Sequence, residues 1–170
     1  GQAGGTAIAD ILFGDYNPSG RLPLTFYKDI NDIPAFNDYS MKGKTYRYFQ
    51  GKPLYDFGFG LSYSKFTYAN LAIQEENPTD TAIQFTVDVT NSGKRDGDEV
   101  VEVYFTNPAG DQLSTVRTLI NFERITIKAG KTKKVAFTIE PKQLAQLNNT
   151  NSFELAAGDI TLSVGGMQAS

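Results

Sequence analysis

The chain has 170 residues, 40% hydrophobic, 12% aromatic and 21% charged, the composition of one packed domain plus some trailing structure. It contains no cysteine and no histidine, which removes disulfides, thiolate catalysis, zinc-thiolate sites and the commonest general base. With 16 Lys and Arg against 19 Asp and Glu, the net charge of -3 offers no basic field for phosphates and argues against nucleic acid as a partner. No apolar run is long enough to span a bilayer. The opening at Gly1, with neither an initiator Met nor a signal-peptide pattern, reads as a piece of something longer.

In chain order, Ala7, Ile8, Ile11 and Leu12 recur at helical spacing, and Gly14 follows where a left-handed cap belongs, so a short helix is predicted from about Gly5 to Phe13. The run from Asp15 to Gly20 is turn chemistry. After it Leu22, Leu24 and Phe26 alternate as a short strand, confined to an edge by Pro23. One helix and one strand cannot bury their own faces, so they read as the last elements of a preceding α/β domain.

Residues 28 to 60 lack periodicity and mix proline with glycine, which predicts a long irregular connector. Between Tyr46 and Tyr68 the chain concentrates Tyr46, Tyr48, Phe49, Tyr55, Phe57, Phe59, Tyr63, Phe66 and Tyr68. Rings of about 150 to 250 Å² each are too much apolar area to leave in water along a linker. Two readings compete: a buried strap joining two domains, and a sugar-stacking surface. Tyr46, Arg47, Tyr48, Phe49 and Tyr55 are the candidate domain-interface or sugar-contact residues, with Arg47 offering a planar donor fork to either. Burial is favoured, and the absence of Trp, a frequent sugar-stacking residue, argues the same way.

From Thr67 onward the period is two. Ile83, Phe85, Val87 and Val89 alternate with polar residues, and Asn91 to Gly97 turns the chain. Further alternating runs centre on Val101 to Phe105, Arg117 to Ile127, Val135 to Ile139, Phe153 to Leu155 and Ile160 to Val164, with a first strand near Ala69 to Ile73. About seven short strands predict a mainly β, immunoglobulin-like antiparallel sandwich, closer to the fibronectin type III variety because no Cys pair or Trp pins it.

Candidate chemical motifs are weak. Gly1, Gly4 and Gly5 match neither phosphate-binding fingerprint and read as a tight helix start. Asp96, Asp98 and Glu99 lack a calcium ligand ladder and read as a solvated hairpin. Asp15, Asp29, Asp38 and Asp56 are loop carboxylates of the kind that serve turns and caps, although paired carboxylates are the chemistry a chain without His or Cys retains. Asn148 to Thr150 forms a glycosylation sequon.

The stretch GQAGGTAIADILFGDYNPSGRLP, Gly1 to Pro23, resembles the end of the second catalytic domain of family 3 glycoside hydrolases. DYSM (Asp38 to Met41), TYRYF (Thr45 to Phe49) and PLYDFGFGLSY (Pro53 to Tyr63) are similar to that family's linker and to the entry strand of its fibronectin type III-like domain. VDVTNSG (Val87 to Gly93), GDEVV (Gly97 to Val101) and Phe122 to Arg124 continue the likeness. Asp56 departs from it, standing where the family commonly has Pro. The resemblance implies three parts: residues 1–30 as the remnant of an α/β catalytic domain, 31–62 as an aromatic-rich linker, and 63–170 as a fibronectin type III-like domain that folds on its own.

The same resemblance implies a retaining exo-β-glycosidase as parent, secreted or periplasmic, its nucleophilic Asp and acid/base Glu upstream. No catalytic, cofactor-binding or metal-binding residue carries over to this chain. Its implied partners are the upstream catalytic domains and the parent's oligo- or polysaccharide, with no nucleic acid and no membrane span. The QAGG opening, Gln2 to Gly5, is similar to the β-xylosidase-like branch. Residues 1–30, parted from their packing partners, are expected to be the least protected.

Overall fold

The computed structural model describes residues 1–74, 82–106, 116–147, 152–155 and 159–166. The sequon at Asn148 to Thr150 lies outside them. Helix α1 spans Gly4–Phe13 and ends on Gly14 at φ 82, whose N–H returns to the Ile11 carbonyl, the left-handed stop expected of glycine. The predicted strand at Leu22 to Phe26 does not form. In its place stands a single antiparallel bridge between Phe26 and Tyr55, with Leu22 and Gly58 exchanging backbone hydrogen bonds with Phe59 and Leu22 respectively. Pro23 has no N–H to extend that ladder. The connector is irregular as predicted, apart from a 3-10 turn at Ile30–Asp32 and the four-residue helix α2, Thr45–Tyr48.

The strands are β1 Phe66–Ile73, β2 Ile83–Asn91, β3 Gly97–Thr106, β4 Thr118–Ile127, β5 Thr132–Ile139, β6 Ala145–Leu147, β7 Phe153–Leu155 and β8 Thr161–Gly165, with the short helix α3 at Pro141–Leu144. They form two three-stranded antiparallel sheets, ordered β1-β2-β5 and β4-β3-β8, and a β6-β7 ribbon. The fold is thus the mainly β, fibronectin type III-like class. The ribbon partner β6 was not foreseen.

Strand β2 shows why the sandwich closes. Ile83, Phe85, Val87 and Val89 point inward, each buried, and meet Ile139, Phe137 and Val135 of β5 and Val101, Val103, Phe105, Ile125 and Ile127 of the facing sheet. The Phe85 and Phe137 rings stack at 5.4 Å. Burial of such side chains is worth about 1.5 to 3 kcal/mol each.

At the end of β2 the buried Asn91 donates to the carbonyls of Arg95 (2.8 Å) and Ile127 (3.0 Å) and accepts from the Gly93 N–H at 2.9 Å. A polar group inside a core is tolerated when fully bonded in this way. Strand β3 differs from β2 in being buried on both faces, Val101 to Phe105 without interruption. One face is covered by the opposite sheet and the other by the connector.

Candidate functional site

The site is the seam where residues 14–63 cross the outside of the β3 sheet. Asn17 sits at one end of it with every side-chain position used. Its Nδ2 donates to Ser64 Oγ (3.0 Å) and to the Asp96 carbonyl (2.9 Å), while its Oδ1 accepts from Ser62 Oγ (3.0 Å) and the Tyr63 N–H (2.9 Å). Nearby, the Tyr63 hydroxyl donates to the Ile11 carbonyl at 2.6 Å, and Arg95 lies over the Tyr63 ring while donating to the Gly14 carbonyl. Arg124 reaches the Tyr16 hydroxyl at 3.1 Å and Asp98 at 2.6 Å. The end of α1 is therefore tied to the sandwich by polar contacts.

Further along, Arg21 donates to Glu99 at 2.5 Å, and the Tyr68 hydroxyl donates to the other Glu99 oxygen at 2.6 Å. Glu99 is 2% exposed, so the solvated-hairpin expectation holds for its neighbours only. Asp98 faces Arg124 and Thr126, and Asp96 accepts from the Ala129 N–H. Glu99 is drawn inside because a guanidinium and a phenol close over it. Glu102, 4% exposed, accepts from the Tyr104 hydroxyl at 2.8 Å. Burial pushes the Tyr68 and Tyr104 phenols well above their ordinary range, reinforced by the adjacent carboxylates.

The candidate aromatic residues separate on inspection. Tyr46 stacks on Phe57 at 4.0 Å, meets Tyr104 edge-on at 6.4 Å and accepts the Leu119 N–H at 3.1 Å. Phe49 packs edge-on against Tyr27 at 4.9 Å. Tyr55 meets Phe26 at 6.2 Å and Phe59 at 4.9 Å and is 43% exposed. Tyr48 is half-buried but makes no ring contact or side-chain hydrogen bond among the described residues. The Arg47 side chain is exposed, while its carbonyl accepts from the Val116 N–H at 2.6 Å. The five do not form one platform.

The turn that presents Tyr46 and Arg47 is strained. Thr45, β-branched, stands at φ 55, a region such side chains avoid. Its N–H is held by the Tyr27 hydroxyl at 3.0 Å, its hydroxyl accepts from the Arg47 N–H at 3.3 Å, and its carbonyl accepts from the Phe49 N–H at 2.9 Å.

Two cavities flank the seam. One of about 450 Å³ is lined by Leu24, Thr25, Tyr27, Met41, Tyr46 and Arg47 among others. The other, of about 720 Å³, is lined by Ile11, Tyr16, Leu22, Phe26, Tyr55 and Phe59 among others. No Asp or Glu lines either cavity. Among the described residues no group of three or more His, Cys, Asp or Glu could hold a metal ion, and no helix is long and apolar enough to cross a membrane. The loop carboxylates do local work: Asp29 caps the 3-10 turn, Asp38 accepts from the Ser40 N–H, and Asp56 lies 3.8 Å from Arg117. Arg21 and Glu102 escaped the sequence reading, Asn17 entered it only as turn chemistry, and Glu99 only as part of a solvated hairpin.

A mainly β, fibronectin type III-like sandwich whose outer sheet is crossed by a leading helix and an irregular connector defines the class of this fold. Comparison with known proteins agrees. Residues 1–63 match the glycosyl hydrolase family 3 C-terminal domain, and residues 99–168 match the fibronectin type III-like domain. The xylan 1,4-beta-xylosidase of Xylanibacter ruminicola is 48% identical over 133 residues, 78% of this chain and 15% of that protein. The periplasmic beta-glucosidase of Salmonella typhimurium is 37% identical over 97% of this chain and 23% of its own length. The solved beta-glucosidase 3B of Thermotoga neapolitana, in complex with alpha-D-glucose, superposes with a TM-score of 0.87 at 30% identity, covering 98% of this chain and 25% of that one. The chain belongs to the family 3 glycoside hydrolases, and it spans between 15% and 23% of the length of those two curated relatives.

Proposed function

We propose that this chain is the non-catalytic accessory part of a retaining exo-β-glycosidase located outside the cytoplasm. The upstream domains of that enzyme remove terminal β-xylosyl or β-glucosyl residues, and this part stabilises and positions them. The observation that carries the reading is α1. It has no buried residue, leaving Ile8, Leu12 and Phe13 exposed at 61%, 73% and 85% beside the apolar 720 Å³ cavity. A contiguous apolar surface of this kind marks an interface, and an α/β domain has the complementary faces to cover it. The other side of the same segment is already fixed to the sandwich by Asn17, Arg21 and Tyr46. Residues 63–170 are the unit that folds independently in this proposal, with 31–62 as the strap and 1–30 as the edge of the catalytic domain.

A retaining glycosidase needs two carboxyl groups about 5 Å apart across the bond to be broken. Here Glu99 and Glu102 are closed over by protein, and the cavities carry no carboxylate. The chain alone is therefore expected to leave chromogenic xylosides and glucosides intact; turnover that copurifies with it overturns the non-catalytic reading. Added to separately produced upstream domains, it should raise their melting temperature, and Leu12→Asp should abolish that gain. The rival reading, a carbohydrate-binding module, requires retention on insoluble xylan or cellulose that Tyr48→Ala or Tyr55→Ala removes without unfolding. The divergent orientations of Tyr46, Phe49 and Tyr55 support the strap instead.

A further inference from the structure

Of the two buried carboxylates among the described residues, Glu102 is the less compensated. It lies on the connector-facing side of β3, its single hydrogen bond comes from the Tyr104 hydroxyl, and no Lys or Arg nitrogen lies within ion-pair distance of it. Glu99, three residues earlier, has Arg21. Gly58 of the connector lies against Glu102. A Cβ placed on Gly58 would overlap Glu102 Oε2, and the Gly58 N–H is committed to the Leu22 carbonyl at 2.9 Å. Water could solvate this carboxylate only if residues 54–60 moved off the strand.

We propose that Glu102 is a proton-operated latch for the connector: the neutral carboxyl lets residues 54–60 seat on β3, and its ionisation loosens them. The groups that act on it are Arg21 from the leading segment, Tyr68 from β1, Arg117 at the entry to β4, and Glu99 and Tyr104 on its own strand; behind them, Asp56 of the connector lies 3.8 Å from Arg117 and Tyr46 of α2 meets the Tyr104 ring. Burial raises the Glu102 carboxyl above its ordinary value of 4.5, with the nearby Glu99 adding to the effect, while the Tyr104 hydroxyl, Arg21 and Arg117 oppose it. A carboxyl whose pKa is raised on seating binds its proton more tightly in the seated state. Seating is therefore strongest below about pH 4.5, weakens as pH rises toward the seated-state value, and levels off above it.

The test is hydrogen exchange at the Leu22 and Gly58 amides of the full chain across a pH series. Rates are corrected for the intrinsic pH dependence and referred to Val87 in the core. One linked proton makes protection fall by up to about tenfold per pH unit in the unmutated chain, while Glu102→Gln stays protected throughout. Protection independent of pH in the unmutated chain, or an unchanged slope in Glu102→Gln, overturns the latch. Should that variant fail to fold, the carboxyl carbon of Glu102 is titrated by NMR in the unmutated chain. A midpoint above 4.5 supports the proposal, and one at or below it overturns it.

Discussion

The Arg21 guanidinium and the Glu99 carboxylate meet at 2.5 Å across the junction between the leading segment and the sandwich. Both are largely buried, so the pair differs from a surface ion pair, whose net worth is about 0 to 1 kcal/mol. Removing one member strands the other. Arg21→Met is expected to destabilise the chain by about 3 to 5 kcal/mol, measured by urea denaturation. Adding Glu99→Gln, which keeps an acceptor for the Tyr68 hydroxyl, should recover a large part of that loss. If the double variant is no more stable than Arg21→Met, the stranded charge is not the cause.

Asn17 makes a sharper probe because its four hydrogen bonds divide into two donated and two accepted. Asn17→Asp retains the oxygen facing Ser62 and Tyr63 but turns a second oxygen toward the Asp96 carbonyl. It should cost more than the roughly 1 to 3 kcal/mol of leaving the partners unpaired in Asn17→Ala. Hydrogen exchange at Tyr63, whose N–H is held by Asn17, reads the effect directly. Equal protection in both variants would mean that the site does not distinguish donor from acceptor.

The parts of this architecture that were legible share one property, a periodic pattern with a single buried face. Strand β2 is the plain case, its odd positions from Ile83 to Val89 apolar and its even positions polar, and its sheet buries the odd side alone. Gly14 was legible because few residues but glycine tolerate φ 82. Strand β3 was half legible. Alternation located it, but Glu99 and Glu102 lie on a strand covered on both sides, so their charge pointed to solvent when tertiary contacts had taken them inside. That cover comes from residues 78 positions away in the case of Arg21 and Glu99, a distance over which no local pattern reports. Of the candidate aromatic residues, Tyr46 packs on Phe57 and Tyr104 while Tyr55 meets Phe26 and Phe59, because neighbours in an irregular chain need not share a surface.

Tyr46 joins two effects that substitution can separate. Tyr46→Phe keeps the ring on Phe57 and deletes only the acceptor of the Leu119 N–H, a loss of about 1 kcal/mol. Tyr46→Ala also empties the space between Phe57 and Tyr104, and should cost about 3 kcal/mol or more by analogy with other aromatic truncations. Thermal melts give the order. Equal effects of the two variants would show that the ring stack contributes nothing to seating the connector.

Gly58 and Gly130 share a positive φ, 79 and 68, but have different surroundings. A Cβ at Gly130 meets open space, whereas one at Gly58 meets the Glu102 carboxylate and comes within 2.9 Å of the Tyr104 hydroxyl. Gly130→Ala therefore measures the left-handed penalty alone, about 1 to 2 kcal/mol. Gly58→Ala adds overpacking of about 1 to 3 kcal/mol and should be the more damaging of the two in urea denaturation. Shortening the obstructing side chain separates the terms. In a Glu102→Ala background Gly58→Ala should fall part of the way toward the Gly130→Ala value, since the carboxylate is gone and only the Tyr104 hydroxyl and the backbone conformation still oppose the added Cβ. Additive losses in that cycle would mean that the connector and β3 do not press on each other at this point, and the close approach of Gly58 to Glu102 would lose its energetic meaning.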